Sequence, residues 1–265
     1  MSWSEITRIG IVQPDLVVGE VERNLEETLD LMEECVERSG PRIIIAPEAF
    51  TTGFPFEDLD ELSSTSKMVL DRTGTICRRD SVHAIFTLII KDEEGMLRNR
   101  LFHIDDRGNV KFSYDKTHLF SRTGEEKYVS PGHRLKTFHI DSMKVGPLIC
   151  YELRYPSLSE KLALSGVHIL VYPSLWPDFR IYQWETLLKA RAIENQLFVV
   201  GVNSVGKHGD VRTGGSSRIV SPYGRILAKC GKDAGWITAE LDPGEMWKLR
   251  DKIPVARDRR EINLI

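Results

Sequence analysis

The chain has 265 residues, 41% of them hydrophobic and 28% charged, with a formal net charge of -3 at pH 7. This is an ordinary globular composition, and a charge so close to balance argues against nucleic acid or a membrane surface as a partner. No apolar stretch approaches the roughly 20 residues of a membrane span, and the N-terminus lacks the apolar region of a signal peptide.

The spacing of the cysteines further limits the classes of protein to which the chain can belong. Cys35, Cys77, Cys150 and Cys230 lie far apart in the sequence, and no two of them have the spacing of a CxxC motif. The sequence therefore predicts neither a disulfide framework nor a zinc site. We expect a cytoplasmic, reducing location, which suits a free catalytic thiol.

The first half of the chain alternates short strands with longer helices. Alternating or continuous apolar residues predict five strands: Ile6–Gln13, Arg42–Ala46, His83–Ile90, Arg98–Asp105 and Val110–Tyr114. Apolar residues at helical spacing predict two amphipathic helices, Val21–Arg38 and Leu62–Arg79.

The second half continues this alternation and adds hairpins. Its predicted strands are Leu135–Ile140, Lys144–Ile149, His168–Tyr172, Leu197–Val202, Ser217–Ser221, Arg225–Cys230 and Gly235–Leu241. Its predicted helices are Pro156–Ser165, Tyr182–Asn195 and Glu245–Asp251. We expect a polar, glycine-rich loop over Gly206–Gly215, and a bulged or partly unpaired strand at Pro147, which has no N–H to donate.

This order of elements indicates an α/β protein. Continuous apolar strands such as Ile43–Ile45 and Ile169–Val171 need cover on both faces. Two mixed sheets packed face to face, with helices outside both, provide that cover in an α-β-β-α four-layer sandwich. There is no internal repeat, low-complexity linker or break in composition, so we predict a single domain over residues 1–265.

Three predicted strand ends carry reactive side chains: Glu48, Lys116 and Cys150. Strand ends at one edge of a sheet converge, which is how open α/β sheets build their sites. A carboxylate there can accept a thiol proton, and an ammonium can hold the negative charge of a tetrahedral intermediate. The backbone N–H of Tyr151 is a second candidate donor to that oxyanion.

Each of these residues also has a purely structural interpretation. The structural alternative for Glu48 is a helix cap or an ion pair with an arginine, and for Lys116 it is a position at the surface, where most lysines lie. Cys150 is either a small buried residue or a thiol whose pKa is lowered by a helix N-terminus. No histidine lies at a predicted strand end as these three residues do. His118 is the nearest in sequence, two residues from Lys116, and we do not favour a cysteine–histidine pair.

Three ordered segments resemble the signature motifs of the nitrilase superfamily, the carbon–nitrogen hydrolases. They are Ala46-Pro-Glu48, Asp115-Lys116-Thr-His-Leu-Phe120 and Leu148-Ile-Cys150-Tyr-Glu-Leu-Arg154-Tyr-Pro156. Supporting segments, among them Pro173-Ser-Leu-Trp-Pro177, extend the resemblance over nearly the whole chain. One such motif is weak evidence, but the ordered set is highly specific.

The resemblance implies an α-β-β-α sandwich and a Glu–Lys–Cys triad. Glu48 is then the base, Lys116 the oxyanion stabiliser and Cys150 the nucleophile of a thioester acyl-enzyme. Many members carry a second glutamate, for which Glu125 is the expected match and Glu126 the alternative. The resemblance also implies a small-molecule amide substrate, no metal or organic cofactor, and a homodimer formed through helices beside the site.

Within the superfamily, Pro47-Glu48-Ala-Phe-Thr-Thr-Gly-Phe54 and His118-Leu-Phe120 look most like the ω-amidases, which hydrolyse the terminal amide of short dicarboxylic acid monoamides. A nitrilase or an N-carbamoyl hydrolase on the same fold is the alternative. A catalytically silent binding protein is a further one, although such a protein does not need all three triad residues.

A distal substrate carboxylate needs a cation, because a buried unpaired charge is costly. Arg180 is our candidate, with Trp176 as an apolar wall beside it. Arg154 is the competitor, but we expect it to form a structural ion pair with Glu152 or another acid. Glu152 itself stands where the superfamily more often has aspartate, which bears on substrate fit more than on the chemistry.

Overall fold

The computed structural model describes residues 3–208 and 210–260, apart from the side chain of His208. The strands in these ranges are β1 Thr7–Gln13, β2 Asp15–Val17, β3 Ile43–Ile45, β4 His83–Lys91, β5 Leu97–Ile104, β6 Val110–Asp115, β7 Phe138–Ile140, β8 Met143–Pro147, β9 Ile169–Pro173, β10 Phe198–Val202, β11 Val205–His208, β12 Val211–Gly214, β13 Arg218–Val220, β14 Ile226–Lys229 and β15 Gly235–Leu241. The helices are α1 Val21–Ser39, α2 Leu59–Leu62, α3 Ser66–Asp80, α4 Pro156–Leu164, α5 Ile181–Asn195, α6 Pro243–Lys252 and α7 Val255–Asp258.

Two six-stranded mixed sheets form the centre of the molecule. The first has the order β15-β1-β3-β4-β5-β6 and the second the order β14-β13-β10-β9-β8-β7. In each sheet the central pairs are parallel, β1–β3–β4 in one and β8–β9–β10 in the other, and the outer pairs are antiparallel. Parallel strands in both centres require helical crossovers and therefore helices outside the sheets.

Side-chain alternation along β3 shows how the layers are assembled. Ile43 and Ile45 pack in a core with residues of the second sheet such as Val199, whereas Ile44 packs on the opposite face with Leu25 of α1 and Val69 of α3. Each of these side chains is almost fully buried. Burial of one such side chain contributes about 2 kcal/mol to the free energy of unfolding.

Helices α4 and α5 cover the outer face of the second sheet, where Trp184 and Leu188 of α5 lie against β10. Gly201 on β10 permits this approach, because a Cβ there would lie 2.4 Å from a methyl of Leu188. With α1 and α3 outside the first sheet, the α-β-β-α fold predicted from the sequence is confirmed. No helix in the described ranges is both long and apolar enough to span a membrane.

The predicted loop over Gly206–Gly215 is wrong. Strands β11 and β12 form an antiparallel hairpin there, and β11 also pairs in parallel with β2, a strand that the sequence did not indicate. The small sheet is stabilised by backbone pairing, with exposed side chains at Val17 and Val211, so no apolar alternation reveals it.

Of the two alternatives expected at Pro147, the bulge is wrong and the partly unpaired strand is confirmed. Strand β8 pairs with β9 without a register shift as far as Pro147↔Val171, and Leu148 N–H continues the ladder to Val171 O at 3.0 Å. On its other side β8 pairs with β7 only from Met143 to Val145. Pro147 therefore lies beyond the partner strand, where its missing N–H removes no ladder bond.

The predicted helix Leu62–Arg79 is divided in the structure. Helix α2 and a 3-10 turn over Ser63–Thr65 precede α3, which runs from Ser66 to Asp80. Ser63 and Thr65 donate their hydroxyls to nearby backbone carbonyls, which is the local competition with helical geometry expected of these side chains.

Candidate active site

Glu48 lies just beyond β3 in a tightly held turn. The next residue, Ala49, has a φ of +42°, and its N–H donates to the buried hydroxyl of Thr87 at 2.7 Å. The Glu48 side chain is 1% exposed, and its Oε2 accepts the backbone N–H of Leu175 at 3.1 Å. A buried carboxylate with fixed donors on both sides is well placed to act as a base.

Lys116 lies just beyond β6 and joins two carboxylates. Its Nζ donates to Glu48 Oε1 at 2.9 Å and to both carboxylate oxygens of Glu125, at 3.0 and 2.9 Å. Burial acts to lower the pKa of Lys116, but the charges of Glu125 and Glu48 outweigh it and raise that pKa. The ammonium therefore remains charged in an almost fully buried position.

Cys150 follows β8 of the second sheet and begins a 3-10 turn, Cys150–Arg154. Its φ of +44° is unusual for a residue with a side chain and re-aims the thiol at a sharp bend. The thiol faces the Glu48 carboxylate, whose Oε2 accepts the Leu175 N–H at 3.1 Å.

The expectation that a helix N-terminus lowers the pKa of Cys150 is wrong. Burial raises the pKa of the thiol well above its ordinary value, the charge of Glu48 raises it further, and Lys116 opposes both. The turn that follows is only five residues long and supplies little helix dipole. The resting nucleophile is a protonated thiol that needs a base.

Of the two neighbouring glutamates, the structure places Glu125 in this cluster. Glu125 is 2% exposed and accepts the Phe120 N–H at 2.7 Å in addition to its bonds from Lys116, while Glu126 is exposed. These contacts favour Glu125 over Glu126 as the second glutamate, as the resemblance did.

Asn99 completes the cluster and was missed by the sequence analysis. Its Nδ2 lies 2.8 Å from Glu48 Oε1 and 3.2 Å from Glu125 Oε1. The available signal was a polar amide two residues before Leu101 on the inward face of β5, where apolar residues are otherwise expected.

Glu152 connects the cysteine turn to the lysine loop. One of its oxygens accepts the Ile149 N–H at 2.7 Å, and the other accepts the Tyr114 hydroxyl at 2.7 Å and the Thr117 N–H at 2.8 Å. Glu152 is completely buried, so these bonds fix the relative positions of the thiol and the ammonium. The expected Arg154–Glu152 ion pair is wrong: Arg154 donates to Gln183 at 2.6 Å.

A cavity of about 510 Å³ opens onto Cys150 and has two chemical faces. The triad residues and Glu125 form its floor, and aromatic side chains form much of its wall: Phe54, Phe56, Phe120 and Phe179. Arg122 and Arg180 also line it. Among the described residues, 3–208 and 210–260, neither arginine has an acidic ion-pair partner, and neither donates a side-chain hydrogen bond.

Trp176 does not form the predicted wall beside Arg180. Its ring is 3% exposed, packs against Trp184 at 5.5 Å, and donates Nε1–H to the Arg180 carbonyl at 3.0 Å. It thus positions the backbone of Arg180 from beneath the cavity. Tyr151 is also outside the lining, its ring against Phe120, and the role of its backbone N–H stays a prediction.

No three histidine, cysteine, aspartate or glutamate side chains come together as metal ligands within the described ranges. The chemistry that the cluster itself provides is a nucleophile, a base, a fixed cation and a second carboxylate around one cavity. That set matches acyl transfer at a carbonyl carbon.

Sequence comparison finds the carbon-nitrogen hydrolase family over residues 8–251. The chain is 32% identical to the 2-oxoglutaramate amidase of Bacillus subtilis, with 98% of this chain and 99% of the relative covered. It is also 32% identical to the omega-amidase YafV of Escherichia coli, over 85% of this chain and 87% of the relative.

Comparison with solved structures gives the same fold. A carbon-nitrogen hydrolase from Helicobacter pylori superimposes with a TM-score of 0.91 at 23% identity, covering 96% of this chain and 95% of the other. The NitFhit protein of Caenorhabditis elegans superimposes with a TM-score of 0.90 at 26% identity, covering 98% of this chain and 66% of the other.

Proposed function

The chain belongs to the carbon-nitrogen hydrolase family, and from that premise we propose that it hydrolyses the terminal amide of short dicarboxylic acid monoamides through a thioester on Cys150. The observation that carries this proposal is the contact of one buried cation, Lys116, with both Glu48 and Glu125 beside the thiol. The products are ammonia and the dicarboxylic acid.

In the first half of the reaction, Glu48 takes the proton from Cys150 as the sulfur attacks the amide carbon. Negative charge then develops on the amide oxygen, and Lys116 is the fixed cation available to stabilise it. Glu48 returns the proton to the amide nitrogen, the carbon–nitrogen bond breaks, and ammonia leaves. The raised pKa of Cys150 makes this base essential, because little thiolate exists before substrate arrives.

In the second half, water replaces ammonia and attacks the thioester carbon. Glu48 accepts a proton from that water, the carbon–sulfur bond breaks, and the thiol is restored. Glu125 keeps Lys116 in place throughout through two charge-assisted hydrogen bonds. Every proton removed is returned, so the cycle needs no cofactor.

The cavity wall supports an acidic substrate. Arg180 lies over the rings of Phe120 and Phe179, at 5.8 and 4.9 Å, and is without an acidic partner in the described part of the chain. A guanidinium held on aromatic faces is well placed to bind a carboxylate in two parallel hydrogen bonds. Relatives named as a 2-oxoglutaramate amidase and an omega-amidase agree with such a substrate.

The test is ammonia release from succinamate, from butyramide as its neutral counterpart, and from a nitrile and an N-carbamoyl amino acid. We expect succinamate to be hydrolysed best. Arg180→Ala is expected to raise the KM for succinamate about tenfold to a hundredfold, the effect of losing a hydrogen-bonded charge, and to leave butyramide almost unchanged.

Arg107→Ala provides the matched control, because Arg107 is an exposed arginine outside the cavity. Equal KM changes for both amides in Arg180→Ala would show that Arg180 does not recognise the carboxylate. Preferred hydrolysis of the nitrile or the carbamoyl compound would replace the proposed substrate class.

We also propose a cytoplasmic homodimer that pairs through the surface around α5. Phe179, Tyr182 and Ile193 on or beside this helix are more than half exposed, which is unusual for large apolar side chains on one face of a monomer. Sedimentation equilibrium is expected to give twice the mass of the chain, and Tyr182→Glu to weaken association. A monomer at micromolar concentration would contradict this proposal.

A further inference from the structure

Asn99 reaches the centre of the cluster from β5. Its single amide nitrogen lies within hydrogen-bonding distance of one carboxylate oxygen of Glu48 and one of Glu125. The side chain is 1% exposed, so both bonds are shielded from bulk water. We propose that Asn99 is a positioning residue that holds both carboxylates around Lys116, and that removing its two donors moves the acid limit of the reaction.

The charges around the thiol explain why an uncharged donor is needed. Glu48 and Glu125 bring two negative charges to one positive charge on Lys116, and the fourth titratable group that faces them is the neutral thiol of Cys150. Like charges oppose each other's ionisation, and one ammonium faces two carboxylates here. The two N–H groups of Asn99 stabilise the ionised form of both without adding another charge.

The other end of the Asn99 side chain supports this role. Within the described residues its carbonyl oxygen Oδ1 is buried and has no hydrogen-bond partner. A buried unsatisfied acceptor is unfavourable, and native structures contain few of them. The amide is therefore oriented by its donors, and both of these donors point at the carboxylates.

This inference rests on the proposed function of Glu48 as the base. When an active-site base must be ionised in the free enzyme, its protonation forms the acid limb of the pH profile of kcat/KM. Loss of the Asn99 donors makes both carboxylates easier to protonate, so the acid limb moves to higher pH. A residue with only a packing role would lower stability without moving that limb.

The test variant is Asn99→Leu, which has a similar volume, removes both donors and adds no charge. Because Oδ1 has no partner, the substitution leaves no donor of the protein unpaired. We expect the acid limb of kcat/KM for succinamate to move up by about one pH unit or more. We also expect kcat/KM at pH 7 to fall about tenfold to a hundredfold, with KM little changed.

Thr87→Val is the matched control. Thr87 is also fully buried beside Glu48, but its hydroxyl accepts the Ala49 N–H and donates to neither carboxylate. Its substitution is expected to reduce stability and leave the acid limb in place. If circular dichroism shows that Asn99→Leu does not fold, Asn99→Ser, whose shorter side chain does not reach the carboxylates, is expected to shift the acid limb in the same direction.

The ¹³C resonances of glutamate carboxyl groups report the same ionisation without turnover. Absence of wild-type amidase activity would overturn the proposed function alone, since the ¹³C titration of wild type and Asn99→Leu still decides the role of Asn99. An unmoved acid limb and unmoved carboxyl titrations in Asn99→Leu would overturn the inference. An equal shift in Thr87→Val would also overturn it.

Discussion

At the scale of single residues, the site combines a thiol of raised pKa with a buried, hydrogen-bonded base. Cys150 has a raised pKa because it is buried and faces the negative charge of Glu48. The same carboxylate that opposes thiolate formation at rest is therefore the group that removes the proton during attack. The thiol therefore loses its proton to Glu48 as the sulfur attacks the carbonyl carbon, and not before.

Glu48→Gln separates these two roles. Without the carboxylate charge, the pKa of Cys150 falls, so the midpoint of iodoacetamide alkylation moves to lower pH. Turnover nevertheless drops about a hundredfold to ten-thousandfold, because the positioned base is lost. The alkylation rate from pH 6 to 11 and ammonia release measure the two effects, and an alkylation midpoint that rises would contradict this account of the thiol.

At the scale of elements, the site depends on side chains that join strand ends across the two sheets. Glu48 and Lys116 follow β3 and β6 of the first sheet, and Cys150 follows β8 of the second. Glu152 holds the β8 end to the β6 end through donors from Ile149 and Thr117. The catalytic distances are therefore determined by bonds between elements and by the packing of the sheets.

Glu152→Ala is expected to destabilise the fold by about 3 kcal/mol or more, since the Ile149 N–H and the Tyr114 hydroxyl are left buried, and the Thr117 N–H partly buried, without an acceptor. Urea unfolding followed by circular dichroism measures the change in free energy. Glu126→Ala, which removes an exposed glutamate, is the control and is expected to change it little. Equal stability of the two variants would show that Glu152 does not join the elements.

The sequence predicted the layers and the positions of the three strand-end residues well, because apolar periodicity and ordered motifs report both. It failed for Trp176, since a motif gives the position of a residue and not the direction of its side chain. It missed β2 and the β11–β12 hairpin, whose pairing involves backbone atoms. Asn99 escaped notice because one amide within a strand differs little from any other polar residue until its neighbours are known.

At the scale of the whole molecule, buried histidines couple the fold to pH. Burial, with a smaller contribution from the charge of His83, lowers the pKa of His103 to about 4, and burial likewise lowers that of His168 to about 4. An unfolded histidine titrates near 6.5. Between about pH 6.5 and 4 the unfolded chain therefore takes up protons that the folded chain does not, and stability falls as the pH falls.

His103→Gln is expected to remove one histidine's share of this pH dependence, at most about 3 kcal/mol over the window from pH 6.5 to 4. Glutamine is neutral and keeps a hydrogen-bonding group beside His83, which lies 3.0 Å from His103. Urea unfolding at pH 7, 6, 5 and 4 measures the slope in both proteins. Parallel slopes for the variant and the wild type would contradict the account.

Ammonia release from succinamate, compared between the wild type and Cys150→Ala, tests the central claim most directly. The substitution removes only one sulfur atom, which faces Glu48, so the fold is expected to remain intact by circular dichroism. We predict steady ammonia release by the wild type and release at the assay background by Cys150→Ala, because the covalent route is lost. Ammonia release by a folded Cys150→Ala at a substantial fraction of the wild-type rate would contradict the account.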